Sequence, residues 1–86
     1  MAIKVYIPPL LQKIASNREI AEVKGATVRE CIGDLIRQFP GFREWLDENN
    51  PIAWVTLNRN IIGVGELDQK VSESDELRIV LLLAGG

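Results

Sequence analysis

The sequence has no histidine and a single cysteine, Cys31. A Ser-His-Asp triad and a His/Cys metal site are thereby excluded, since each needs an imidazole or several thiolates. One thiol cannot close a disulfide within the chain, so a reducing cytoplasm is the expected compartment. No stretch approaches the roughly 20 apolar residues of a membrane span. The opening, MAIKVYIPPLLQK, has no basic segment leading into a long apolar run, so no signal peptide is expected. Charge of one sign is lacking too. Ten Lys and Arg against twelve Asp and Glu leave a net charge of −2, too balanced for a nucleic-acid binder or an electrostatic membrane anchor.

What remains is enough for one small core. A chain of 86 residues makes one domain, and at that length it buries about 60–65% of its unfolded surface. In IKVYI, Ile3, Val5 and Ile7 alternate with Lys4 and Tyr6, which predicts a strand with one buried face. Pro8 and Pro9 end its ladder for want of an N–H. QKIASNR is expected to be a hairpin loop, and EIAEV, from Glu19 to Val23, a second strand. TVRE then reads as a capping box: Thr27 accepts from the N–H of Glu30, and Glu30 reaches back to the N–H of Thr27. Val28, Cys31, Ile32, Leu35, Ile36 and Phe39 follow at helical spacing as one apolar stripe, stopped by Pro40 and Gly41. FREWLDENN predicts a short helical turn with Trp45 and Leu46 tucked beneath it.

AWVTLN is a third strand, with Val55 and Leu57 on one face and Trp54 and Thr56 on the other. RN turns into a short strand, II, and Gly63 and Gly65 break regular structure. In the last strand, LRIVLLL, Leu77, Ile79 and Leu81 alternate with Arg78, Val80 and Leu82. The order β-β-α-β-β-β pairs a helix bearing one apolar stripe with a sheet that has one face to cover. That combination predicts an α+β fold of the β-grasp, ubiquitin-like kind: a mixed sheet of four to five strands under one main helix. The first and last strands would be central and parallel. Residues 1–82 form the expected domain and 83–86 a flexible tail.

Few groups promise chemistry. The clusters Glu44, Asp47, Glu48 and Glu73, Asp75, Glu76 sit in polar, turn-like runs rather than the apolar pocket that an acid/base pair needs, and read as solvated faces. Cys31 lies on the apolar stripe and has no histidine to act as base, so it reads as core. GVG lacks the third glycine and the capped helix of a phosphate cradle, and reads as a turn. The terminal AGG differs. Glycine has no Cβ, so Ala84, Gly85 and Gly86 can lie extended in a channel too narrow for side chains. Read as the chain terminus, Gly86 brings an α-carboxylate. That group is ionised at neutral pH and a poor electrophile until activated, for instance as an acyl-adenylate.

Taken together, KGATVRE opening the helix, FPGF after it, VTLNRNII, ESDELRIV and AGG resemble the ubiquitin-like sulfur carriers of the MoaD/ThiS family. VYIPPLLQKIA is similar to their cysteine-biosynthesis branch. The resemblance implies a carrier that is not itself an enzyme and binds no cofactor. It implies that Gly86 is adenylated by a ubiquitin-activating-type partner using ATP and Mg²⁺. A sulfur donor, a cysteine desulfurase or rhodanese-type protein, would then replace AMP to leave a thiocarboxylate. A biosynthetic acceptor enzyme of the molybdopterin, thiamine or cysteine type would take the sulfur. Tyr6, Trp54, Val80 and Leu82 are expected to form an apolar docking patch for the adenylating enzyme, while Leu81 faces the core. Two other readings stay open: a ubiquitin-like modifier joined through Gly86 to target lysines, and an interaction module whose glycines are incidental.

Overall fold

Ile3 and Val5 turn inward and Lys4 outward along β1 (Ala2–Tyr6), the inward pair at most 2% exposed. The same alternation buries Ala21 and Val23 of β2 (Ile20–Lys24), which pairs antiparallel with β1 from Ala2↔Lys24 to Tyr6↔Ile20. The computed structural model describes residues 2–47, 49 and 51–82. Between these strands the chain is not the simple hairpin loop expected. Pro9–Ala15 form a 3-10 helix that buries Leu11 and Ala15. Pro8 and Pro9 carry the fixed φ that starts such a helix. Ser16 and Asn17, at φ 57° and 63°, end it in the left-handed region, with the Asn17 N–H on the Gln12 carbonyl at 2.7 Å. The spacing of Leu11 and Ala15 was the signal for it, obscured by the polar residues between.

Helix α1 spans Val28–Gln38. Thr27 caps it as expected, its Oγ1 accepting from the Glu30 N–H at 3.2 Å. The return bond lands one residue earlier, Glu30 Oε1 accepting from the Ala26 N–H at 2.8 Å. Gly25 explains the shift: a Cβ there would stand 2.8 Å from the Cβ of Glu30. Only a glycine lets the incoming chain lie against that side chain, and the carboxylate then meets the peptide just after it. Val28, Cys31 and Leu35 are buried, and Ile32, Ile36 and Phe39 pack at the margin of the core. Past Pro40 a 3-10 turn, Pro40–Arg43, inserts Phe42, which is fully buried and meets Phe39 edge-on at 6.4 Å. Leu46 is buried as expected, and Trp45 is half-buried.

β3 (Ala53–Leu57) and the two-residue β4 (Asn60–Ile61) form a hairpin. Its turn is Asn58–Arg59, one residue earlier than the sequence suggested, with both φ positive at 51° and 74° as a type I′ turn requires. β5 (Glu76–Leu81) pairs parallel with β1 and antiparallel with β3, so the sheet order is β2-β1-β5-β3-β4. The first and last strands are central and parallel, and one main helix covers one face. This is the expected α+β architecture. Leu81 departs from it: opposite Ala53 on the last rung of the β3–β5 ladder, it is 37% exposed instead of buried. Alternation fixes its side of the sheet, where its rung partner Ala53 is fully buried, but the longer Leu81 side chain stays partly open.

Candidate functional site

The open face of the sheet carries the expected docking residues, and strand register determines which of them meet. Tyr6 stands opposite Arg78, and Arg78 opposite Thr56. Ile20 and Ile61 close this row on the outer strands β2 and β4. The Arg78 guanidinium lies 4.8 Å from the Tyr6 ring centroid, and its Nη2 reaches Glu76 Oε2 at 3.1 Å. Tyr6 and Arg78, with Pro8, Pro9 and Gln12, border a hollow of about 340 Å³. Further along β5, Val80 is half-buried and Leu82 38% exposed on the same face. The Leu82 N–H still donates to the Ile52 carbonyl at 3.0 Å. The central strand thus stays tied to its neighbour up to the residue that precedes 83–86. Ala84, Gly85 and Gly86 lie outside the described residues.

Trp54 does not join this face. It is only 4% exposed, and its indole N–H donates to the Ile62 carbonyl. Its neighbours are Ile32, Ile36, Leu46 and Leu67, with which it lines a groove of about 350 Å³ beside α1. β4 has only two residues and leaves this part of β3 uncovered, so the large indole folds round the free edge and finds a hydrogen-bond acceptor there. Nor is Trp54 beside Tyr6. β5 separates them, Tyr6 facing Arg78 and Trp54 facing Val80. Arg78, missed as a candidate, is central instead. Its place in the otherwise apolar run LRIVLLL was the available signal.

The remaining candidates are structural. Cys31 is fully buried, and that burial pushes its thiol up to about 11, with the Asp34 and Glu30 carboxylates adding in the same direction. The thiol stays protonated and unreactive. Gly63 gives its N–H to Glu66 Oε1 at 2.9 Å, within a turn that runs into the 3-10 segment Val64–Glu66. That donor is therefore engaged already. Asp75 accepts from Asn58 Nδ2 at 3.1 Å and the Ser72 N–H at 2.8 Å, bonds that hold its carboxyl below the usual range. Asp47 accepts from the Asn49 N–H at 2.9 Å, and Glu48 lies outside the described residues. Among the described residues no three His, Cys, Asp or Glu side chains gather to hold a metal, and no helix is long and apolar enough to cross a membrane.

Comparison with solved structures decides the family. A chain of the Amycolatopsis orientalis BexX/CysO complex is 30% identical with a TM-score of 0.80, over 99% of this chain and 100% of that one. The chain belongs to the MoaD/ThiS-type ubiquitin-like sulfur carriers. SAMP1 from Haloferax volcanii matches this carrier over the full length of both chains, at 19% identity and a TM-score of 0.76. A chain of the Helicobacter pylori complex of molybdopterin-converting factor subunits 1 and 2 also matches over both full lengths, at 19% and 0.69. These two speak for the fold. No family model and no curated protein matches the carrier.

Proposed function

We propose that the carrier works through the α-carboxylate of Gly86, taken as the chain terminus. A ubiquitin-activating-type enzyme with ATP and Mg²⁺ bound would join that carboxylate to AMP and release pyrophosphate. The terminal sulfur of a persulfide on a cysteine desulfurase or rhodanese-type donor would then attack the acyl carbon and expel AMP. A thiol would reduce the resulting acyl disulfide, becoming part of a disulfide itself and leaving a thiocarboxylate. The thiocarboxylate is the nucleophile that an acceptor enzyme of molybdopterin, thiamine or cysteine synthesis would use. The carrier supplies the acyl group and a slim Ala84-Gly85-Gly86 lead, and its partners supply the catalysis.

The full-length likeness at 30% identity to a chain of the BexX/CysO complex carries this reading. The fold agrees with it. β5 is hydrogen-bonded on both sides and leads directly into 83–86. On the open face, Tyr6, Val80 and Leu82 offer the grip by which a partner would hold the domain while the tail enters its site. Trp54, buried beside α1, is no part of that grip.

The test is intact-mass analysis after incubation with an adenylating enzyme, ATP and a sulfur source. One oxygen exchanged for sulfur is expected, and the exchange is lost when Gly86 is deleted from a chain with an unchanged melting curve. Conjugates to protein lysines without that exchange would favour the modifier reading. Retained partner function after loss of both glycines would favour the plain interaction module.

A further inference from the structure

β2 is an outer strand, yet α1 occupies its free edge. Asp34 Oδ2 accepts from the Lys24 backbone N–H at 2.9 Å, and Gln38 Nε2 donates to the Glu22 carbonyl at 2.9 Å. Gln38 also reaches Asp34 Oδ2 at 3.0 Å, and Arg37 Nε reaches Asp34 Oδ1 at 3.0 Å, so the two latching side chains hold one another. The backbone of Lys24 and Glu22 points away from β1. The N–H of Ile7 bonds the Glu19 carbonyl, which sets the odd residues of β2 toward β1 and the even ones outward. An outward row of backbone donors and acceptors is a template for another strand unless something covers it.

We propose that the free edge of β2 is a self-association surface for a second copy of this chain, held shut by Asp34 and Gln38. The occupant follows from the pairing that the edge allows. An antiparallel partner strand can be set so that Glu22 of each copy faces Lys24 of the other. Two rungs then carry opposite charges, which favours the pair. The same rungs bond the Lys24 N–H of one copy to the Glu22 carbonyl of the other. Those are the groups that α1 now occupies. Centring the pair on Glu22 instead would put like charges face to face, so the charged residues select the first register. Latch and dimer compete for the same two backbone groups, and the chain stays monomeric while Asp34 and Gln38 hold them.

Sedimentation velocity on Asp34→Ala/Gln38→Ala beside the intact chain tests this. The intact chain is expected to be monomeric, and the double variant to self-associate at least about tenfold more tightly. Adding Lys24→Glu should abolish the dimer, and adding Glu22→Lys as well should restore it, because the swap keeps opposite charges on both rungs. The Lys24 amide should stay protected from hydrogen exchange in the latched monomer and in the dimer. Should the double variant fail to fold by circular dichroism, Gln38→Ala alone frees the Glu22 carbonyl and should still associate more tightly than the intact chain. A folded variant as monomeric as the intact chain overturns the proposal, as does a dimer indifferent to Lys24→Glu.

Discussion

The two faces of the sheet use the same strands to opposite ends. On the face under α1, Val5, Val23, Val55, Leu77 and Ile79 are each 2% exposed or less. On the other, Tyr6 and Val80 are half-buried and Arg78 is exposed, sharing its charge between an aromatic ring and Glu76. Consecutive residues of β5 therefore serve different masters. Ile79 belongs to the core, and Val80 and Leu82 lie on the open face. Substitutions one or three positions apart should separate the two roles.

The largest effect is expected on the covered face. Ile79→Ala leaves a cavity among fully buried neighbours and should cost about 2–5 kcal/mol in urea unfolding. A loss below that range would mean that the layer under α1 can collapse. Leu82→Asp should break the opposite property. The fold is expected to persist by circular dichroism, while affinity for the adenylating enzyme falls about thirtyfold, or about 2 kcal/mol. Unchanged calorimetric affinity would place the grip elsewhere.

Cys31→Ser should cost about 1–3 kcal/mol, since a hydroxyl replaces a buried thiol without a hydrogen-bond partner. Sulfur loading should survive in the folded fraction. If it vanished there, Cys31 would be a sulfur relay despite its raised pKa. Trp54→Phe should cost about 1–3 kcal/mol, from the lost bond to the Ile62 carbonyl and the space left by the smaller ring, and leave partner affinity unchanged. A fall in affinity would return Trp54 to the docking face.

The smallest effect concerns acid. Asp75 has a folded pKa below its unfolded value, owing first to the Asn58 side chain and then to the Ser72 N–H. Its contribution is full above the unfolded pKa and is lost as pH falls through the folded one. Asn58→Ala should therefore lower stability slightly at neutral pH and flatten the acid limb, the Asp75 part of that loss shrinking as pH falls through the folded pKa. An unaltered limb would assign the acid sensitivity to other carboxylates.

Most of this architecture was legible because alternation and helical spacing are strong signals wherever a whole layer lies above them. Val28, Cys31 and Leu35 were readable as one stripe, and Leu77 and Ile79 as one face. Reading failed where a residue's surroundings depend on how far a neighbouring element extends. Trp54 alternates outward, but the brevity of β4 lets it fold inward. Leu81 alternates inward, yet it stays partly open although Ala53 across the rung is buried. The 3-10 helix Pro9–Ala15 hid behind polar residues because only Leu11 and Ala15 mark its buried side. The pattern placed Tyr6, Val80 and Leu82 on the open face, whereas Arg78 emerged only from the register that seats it against Tyr6.

The parallel pairing of β1 with β5 also governs the order in which the molecule can be made. Synthesis produces β1 first and β5 last, so the strand at the centre of the sheet is the final one to become available. The β1–β2 and β3–β4 pairs can form before it, but they are joined into one sheet only through β5. Closing so long a loop is the slow step of such a topology. A ribosome that stops short of Leu81 releases a chain without its central strand, unable to complete the sheet. The open edges that β1 and β3 would present to β5 in such a fragment make it a substrate for chaperones and proteases. Folding thereby acts as a check on translation: a domain that has reached its native state has also been extended to the threshold of its glycines.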